Sequence, residues 1–381
     1  MSTIPSLAPA FLPEPLESLR EEVRSFLRIT IPQRTAAERA QSWMGFDASF
    51  SRQLGERGWI GMTWPTAYGG GGLSAFDRYV VIEELLAAGA PVSAHWIADR
   101  QSGALLLRFG TESQRQKYLP AICRGESYFC IGMSEPGAGS DLASIRTRAR
   151  RTAGGWNLNG AKLWTTNAHR SHYMIVLARS GEGSERQEGL SQFVVDLARP
   201  GVTIRPISDL GGSEHFNEVV FEDVHLDDDD LVGSEGQGWS QVMAELALER
   251  SGPERFLSSI QVLKSAIGVI GEDPDRLQAV EVGRLAAWLQ ALRQMSLSVT
   301  SQLATGADPT LAASCVKDLG NAFEQHVPET LQSLLNVEPR RSGDDLAQAL
   351  FYTVQAAPSF SLRGGTREIL RGIIARGLGL R

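Results

Sequence analysis

Apolar positions recur every three or four residues from about 14 to 125. Leu16, Leu19, Val23, Phe26 and Leu27 form one stripe on an otherwise charged stretch and predict an amphipathic helix. Tyr79, Val80, Ile82, Leu85 and Leu86 predict a more buried helix, with Ser74 placed to cap it. Between them, Pro65 and the glycines at 69–72 break regular structure. From 126 to about 232 the pattern changes to short runs rich in Val, Ile, Tyr and Phe, at 173–178, 192–195, 202–207 and 219–225, separated by Gly, Pro, Ser or Asp. This spacing predicts a small antiparallel barrel or sandwich and not a parallel sheet. After a glycine-bounded linker at 233–238 the helical period returns, with Leu285, Trp288, Leu289, Leu292 and Met295 on one stripe and Gly306 placed to end that helix. Asp273-Pro274 and Asp308-Pro309 each read as a capping carboxylate before a proline in the first helical turn. The fold class is α+β: an N-terminal helical domain at 1–125, a middle β domain at 126–235 and a C-terminal helical bundle at 236–381.

Composition narrows the function classes. A chain of 381 residues with 42% hydrophobic content is long enough for two or three domains. A formal net charge of -7, without clustered Lys and Arg, argues against a nucleic-acid partner. No apolar run is long enough to span a bilayer, and the first residues carry no basic-then-apolar leader, so a soluble cytoplasmic protein is expected. Cys123, Cys130 and Cys315 are scattered and read as free buried thiols. The six histidines show no ligand spacing, so no metal site is expected. The aspartates at 227–230 read as a solvated turn between domains, and the glycines at 69–72 as a loop without the Lys-Ser/Thr of a phosphate cradle.

The chemistry concentrates between residues 128 and 170. The turn Ser134, Glu135, Pro136, Gly137, Ala138, Gly139, Ser140 and Asp141 combines glycines that let backbone approach a ligand with hydroxyls that orient freely. Asn157, Leu158, Asn159 and Gly160 read as a hairpin turn returning the chain to Trp164, Thr165, Thr166 and Asn167. An aromatic face and hydroxyl donors opposite such a turn suit a flat heteroaromatic ring with polar edges.

These two runs, Ser-Glu-Pro-x-x-Gly-Ser-Asp and Asn-Gly-x-Lys-x-Trp-x-Thr-Asn, resemble the flavin-site signatures of the acyl-CoA dehydrogenase family. Gly-Trp-x-Gly, Trp-Pro and Tyr-Gly-Gly near residue 60 resemble the family's amino-terminal domain, as do Phe109-Gly110-Thr111 and Tyr118-Leu119-Pro120. The resemblance implies FAD as cofactor, with Ser134 bonded to the flavin ring, Ile131, Gly132 and Met133 beside it, and Trp164, Thr165 and Thr166 across it. It implies that Thr366 and Glu368 also face the cofactor and that Ser140 meets the phosphopantetheine end of an acyl-CoA. The implied reaction removes an α proton and a β hydride from the thioester, giving a trans-2-enoyl-CoA and passing electrons to an electron-transfer flavoprotein.

In most members the proton acceptor is a Glu in a Tyr-Glu-Gly-Thr run near the C-terminus. Here the matching residues are Arg363, Gly364, Gly365 and Thr366, so that position is Gly364. The isovaleryl and long-chain branches take the carboxylate from a Leu-x-Leu-Glu-Arg run instead, matched by Leu246, Ala247, Leu248, Glu249 and Arg250. Glu249 is therefore the expected base, with Glu254 and Glu368 as weaker candidates. Leu246, Arg250, Gly364 and Gly365 are the expected substrate contacts, the Gly364 N–H holding the thioester oxygen. Two motifs that hold the flavin's adenine half, Arg-x-x-Phe-Gly and Gly-Gly-x-Gly, are not recognisable in IGEDPDRLQAVEVGRL or LLNVEPRRSGDDLAQAL. The resemblance implies a homodimer or homotetramer. The missing motifs keep open a non-catalytic subunit of a hetero-oligomer, and the fold also admits an oxidase or monooxygenase.

Overall fold

The computed structural model describes residues 7–182, 185–248 and 250–380, the side chains of 246–248 excepted. Helices come first: α1 (Leu16–Thr30), α2 (Ala36–Gln41), α3 (Ala48–Glu56), α4 (Ala75–Ala87), α5 (Ser93–Ile97), α6 (Gly103–Phe109) and α7 (Glu112–Cys123). Strands follow: β1 (Phe129–Gly132), β2 (Arg148–Thr152), β3 (Gly155–Thr166), β4 (Tyr173–Arg179), β5 (Leu190–Asp196), β6 (Val202–Ile207) and β7 (Phe216–Leu226). Helices close the chain: α8 (Gly238–Leu248), α9 (Ile260–Ile270), α10 (Arg276–Ala304), α11 (Thr310–Leu335), α12 (Asp345–Phe360) and α13 (Arg367–Gly377).

These elements pack as two compact units, one from Met1–Phe46, Leu73–Val92 and Glu249–Arg381, the other from Asp47–Gly72 and Ser93–Leu248. In the first, α1 and α10 pack on α4, while α2 packs on α9 and α12. The predicted stripe of α1 buries Val23, Phe26 and Leu27, and Ser74 caps α4 by accepting the Asp77 N–H. In α10, Leu285 and Leu292 are buried as their period predicts, and Gly306 follows the helix end with φ +72°. The cap is not Asp273: α10 starts two residues later, with Asp275 accepting the Gln278 N–H. Asp308 accepts the Thr310 N–H at 3.0 Å, but Pro309 stands just before α11, not inside its first turn.

The second unit is built on a sheet whose order is β1-β4-β2-β3-β7-β6, with β5 paired to β4. Most pairs are antiparallel, as expected, while β4 runs parallel to β1 and, at one register position, to β2. The cause is order along the chain: the β2–β3 hairpin intervenes before β4 returns beside β1, so the two run the same way. Trp156, Phe193, Val219, Phe221 and Val224 pack into one core of this sheet. Ala138, Ile145, Leu177, Leu190 and Val242 form another, which anchors α8.

The hairpin turn also lies elsewhere than expected. Thr152 pairs with Gly155, so the two-residue connection is Ala153-Gly154, while residues 157–160 lie inside β3. Asn159 instead pairs across to β7: Nδ2 donates to Asp223 Oδ1 at 3.0 Å and Oδ1 accepts the Asp223 N–H at 2.9 Å. Asp223 has φ +52°, Gly160 φ +142°, and the register slips between them. The Asn and Gly signals were those of a β-bulge, which asks for the same permissive residues as a turn. Among the described residues no helix is long and apolar enough to cross a membrane, and no cluster of potential ligands could hold a metal ion.

Candidate functional site

In the sheet unit, residues 134–141 leave the end of β1 as a tight turn. The Glu135 N–H donates to Ala138 O and the Ala138 N–H to Glu135 O, both at 3.0 Å, leaving Pro136 and Gly137 at the tip. Gly137 has φ +87°, the conformation a type II turn demands after proline. A Cβ on Gly137 or Gly139 would meet no atom within 4 Å, so this rim is open.

A buried ion pair fixes the turn to β3. Lys162 Nζ donates to Glu135 Oε1 at 2.7 Å and to Met133 O at 3.1 Å, while Glu135 also accepts the N–H groups of Arg146 at 2.6 Å and Thr147 at 3.0 Å. Burial pulls the Lys162 ammonium down to about 8, with Glu135 opposing that shift. Burial would raise the Glu135 carboxyl, but Lys162 and the hydrogen-bond donors outweigh it and hold it below the usual range. The direction that governs the pair is that of Glu135, which has donors on both oxygens. Both residues stand inside the two sequence motifs, yet neither was singled out beforehand. The available signal was a lysine between apolar neighbours at an inward strand position.

Beyond Lys162 the register of β3 against β7 slips again, between Lys162 and Thr165. Trp164 sits on this irregularity with φ +60°, a conformation that is a genuine outlier for a bulky side chain, and it is 56% exposed. Its indole meets Phe216 edge-on at 6.0 Å. Thr166 is half-buried, whereas Thr165 points inward and its Oγ1 has no hydrogen-bond partner among the described residues. Behind the strand, Asn167 Nδ2 donates to Ser93 Oγ at 2.6 Å, His169 Nδ1 lies 2.9 Å from Asn217 Oδ1, and the Asn217 amide donates to Thr165 O at 3.0 Å. Burial keeps both His169 and His215 below the ordinary imidazole value.

The face so formed carries half-buried Ile131, Met133 and Ser134, buried Gly132, and exposed Ser140 and Trp164. An exposed indole held in a strained backbone beside an open glycine rim fits a flat ring with polar edges. The residues present therefore fit a flavin.

In the other unit the 363–366 turn has φ +62° at Gly364 and +98° at Gly365, and Thr366 caps α13 by accepting the Ile369 N–H. Arg250 Nε donates to Gly364 O at 3.3 Å and Lys317 Nζ to Gly365 O at 3.1 Å. Arg363 lies over the rings of Trp43 and Phe360, at 4.1 and 4.5 Å. Glu368 is exposed, and its own N–H and the Thr366 hydroxyl hold its carboxyl below the usual range. Fully buried Glu324, raised by burial, accepts the Ser258 N–H at 2.8 Å. Glu249 and the side chain of Leu246 lie outside the described residues.

Residues 13–126 match the family described as acyl-CoA dehydrogenase, N-terminal domain, and residues 130–224 the one described as acyl-CoA dehydrogenase, middle domain. The chain belongs to the acyl-CoA dehydrogenase family. Its relatives include the acyl-CoA dehydrogenase IpdE1 of Mycobacterium tuberculosis, 39% identical over 62% of this chain and 63% of that protein. IpdE1 of Mycolicibacterium smegmatis is 31% identical over 96% of this chain and 98% of its own length. The chain thus spans less than two thirds of the first relative and nearly all of the second. Among solved structures, the Tcur3481-Tcur3483 steroid ACAD superposes with a TM-score of 0.85 at 27% identity, covering 97% of each chain. The ChsE4-ChsE5 complex from Mycobacterium tuberculosis gives 0.83 at 27%, covering 97% of this chain and 98% of that one.

Proposed function

We propose that this acyl-CoA dehydrogenase family member removes the α proton and β hydride of an acyl-CoA thioester, with FAD as cofactor and an electron-transfer flavoprotein as the electron sink. The observation that carries the reading is the exposed, backbone-strained Trp164 beside the open 134–141 turn, within the family's two signature runs. Ser134 bonds the ring edge, Ile131, Gly132 and Met133 line it, and Trp164 with Thr166 covers it, Thr165 packing behind them, while Thr366 and Glu368 face the rest of the cofactor. A bound flavin supplies the hydride acceptor. Glu249 takes the α proton, the Gly364 N–H holds the thioester oxygen, Ser140 meets the pantetheine arm, and Leu246, Arg250 and Gly365 contact the acyl end.

The test uses the purified chain. A yellow protein bleached anaerobically by a panel of acyl-CoA esters, steroid-derived ones included, supports the assignment. Glu249→Gln should slow bleaching by about 10²–10⁴-fold; normal bleaching in that variant removes Glu249 from the mechanism. Rapid oxygen consumption would indicate an oxidase instead. A second reading, a subunit that completes a partner's site, is favoured by the missing adenine-half motifs and by the likeness to the ChsE4-ChsE5 complex. A colourless chain that turns yellow and active only with a second subunit would select it.

A further inference from the structure

Side chains along β3 alternate between the two faces of the sheet, so residues two apart share a face. Lys162 is 0% exposed, and by that count Trp164, two residues on, belongs on the same buried side. It is instead 56% exposed, and Thr165 points inward in its place at 1%. The cause is the second slip of register. Lys162 pairs with Val219 and Thr165 with Asn217, so β3 advances three residues where β7 advances two. The surplus residue leaves the ladder as a bulge, and Trp164 stands there with φ +60°. A backbone held in that region persists only where its surroundings fix it.

Both ends of the bulge are tied down. On the near side Lys162 is held by Glu135 and Met133 O, and the Leu163 N–H donates to Ser134 O at 2.9 Å. On the far side the tie is a side chain. Asn217, 0% exposed on β7, donates through Nδ2 to Thr165 O at 3.0 Å, the carbonyl of the residue it pairs with, and more weakly to His215 O at 3.4 Å. Its Oδ1 can only accept, so His169 donates to it from Nδ1 at 2.9 Å, and this bond fixes which way the amide is turned. Without the Asn217 amide, β3 is free to shift by one residue against β7 into regular pairing. Such a slip turns Trp164 to the buried face and Thr165 to the open one.

We propose that Asn217, which lies outside both signature runs, is a positioning residue: its amide locks the β3 register that presents the Trp164 indole on the open face. That the indole covers a flavin there rests on the reading above; the lock does not. The experiment uses the full-length chain labelled with 5-fluorotryptophan, in which the Trp164 signal is the one of eight that Trp164→Phe removes. In the wild type that signal should show the H2O-to-D2O shift of an exposed indole. Asn217→Asp keeps the side chain's shape and sets an acceptor, not a donor, against Thr165 O. Its Trp164 signal should lose the solvent shift, and FAD should bind about tenfold or more weakly. In a Trp164→Gly background the same change should alter FAD affinity by less than about twofold, because no indole is left to position. An unchanged Trp164 signal in Asn217→Asp, or an equal loss of FAD affinity in both backgrounds, would overturn the assignment. If Asn217→Asp does not fold, His169→Leu, at a half-buried site, frees the amide to turn and should move the Trp164 signal the same way; no movement there overturns the lock. A chain that binds no FAD in any form refutes the flavin reading and leaves the fluorine signal to judge the lock.

Discussion

The turns at 134–141 and 363–366 both bring glycine backbone to the surface among candidate site residues, and they are held in different ways. At 134–141 the anchor is a closed account of charge: Glu135 and Lys162 neutralise one another under the turn, and N–H groups of Arg146 and Thr147 complete the carboxylate's bonding. At 363–366 Arg250 and Lys317 donate to the backbone carbonyls of Gly364 and Gly365. A paired charge fixes where a turn sits. A donor on a carbonyl fixes which way a peptide points.

Breaking the first anchor should have the largest effect. Lys162→Met leaves Glu135 buried without its counter-ion and should cost about 3–5 kcal/mol in urea unfolding. The double variant with Glu135→Leu should recover much of that loss, because the buried charge goes with it. At the second turn, Gly365→Ala forces a side chain into a φ of +98°; the Arg250 guanidinium 3.6 Å from the new Cβ leaves room, so the loss, about 1–3 kcal/mol, is conformational. A loss below 0.5 kcal/mol would mean the turn can relax. Thr366→Ala removes the α13 cap and should cost about 1 kcal/mol by the same measurement.

The smallest effect is a pH dependence at the first turn. The folded Glu135 carboxyl lies below its unfolded value, so its stabilisation is present above about pH 4.3 and is lost as pH falls through the folded value. The stability gap between wild type and Glu135→Gln should therefore shrink on acidification. A gap that persists at about pH 2 would show that the carboxylate charge is not what holds the turn.

Much of the architecture was legible along the chain. The stripe on α1, the buried α4 with its Ser74 cap and the β6 run at 202–207 follow from local periodicity, because side-chain spacing and capping are properties of neighbouring residues. The bulge at Asn159 was not legible, since Asn and Gly serve a turn and a bulge alike until the partner Asp223 is known. Start positions of helices after aspartate-proline pairs were misread for a similar reason. Several carboxylates compete to cap, and packing selects one.

The sequence by itself determined the helical, β, helical order, the two signature runs and the absence of a side chain at Gly364, all of which are local or ordered facts. Tertiary structure alone decided that Glu135 meets Lys162, that β1 lies parallel to β4, and that Lys317 and Arg250 converge on one pair of carbonyls. Those depend on which distant segments share a desolvated space. Chain order does not encode that, because the cost of a buried charge is set by whatever surrounds it in three dimensions.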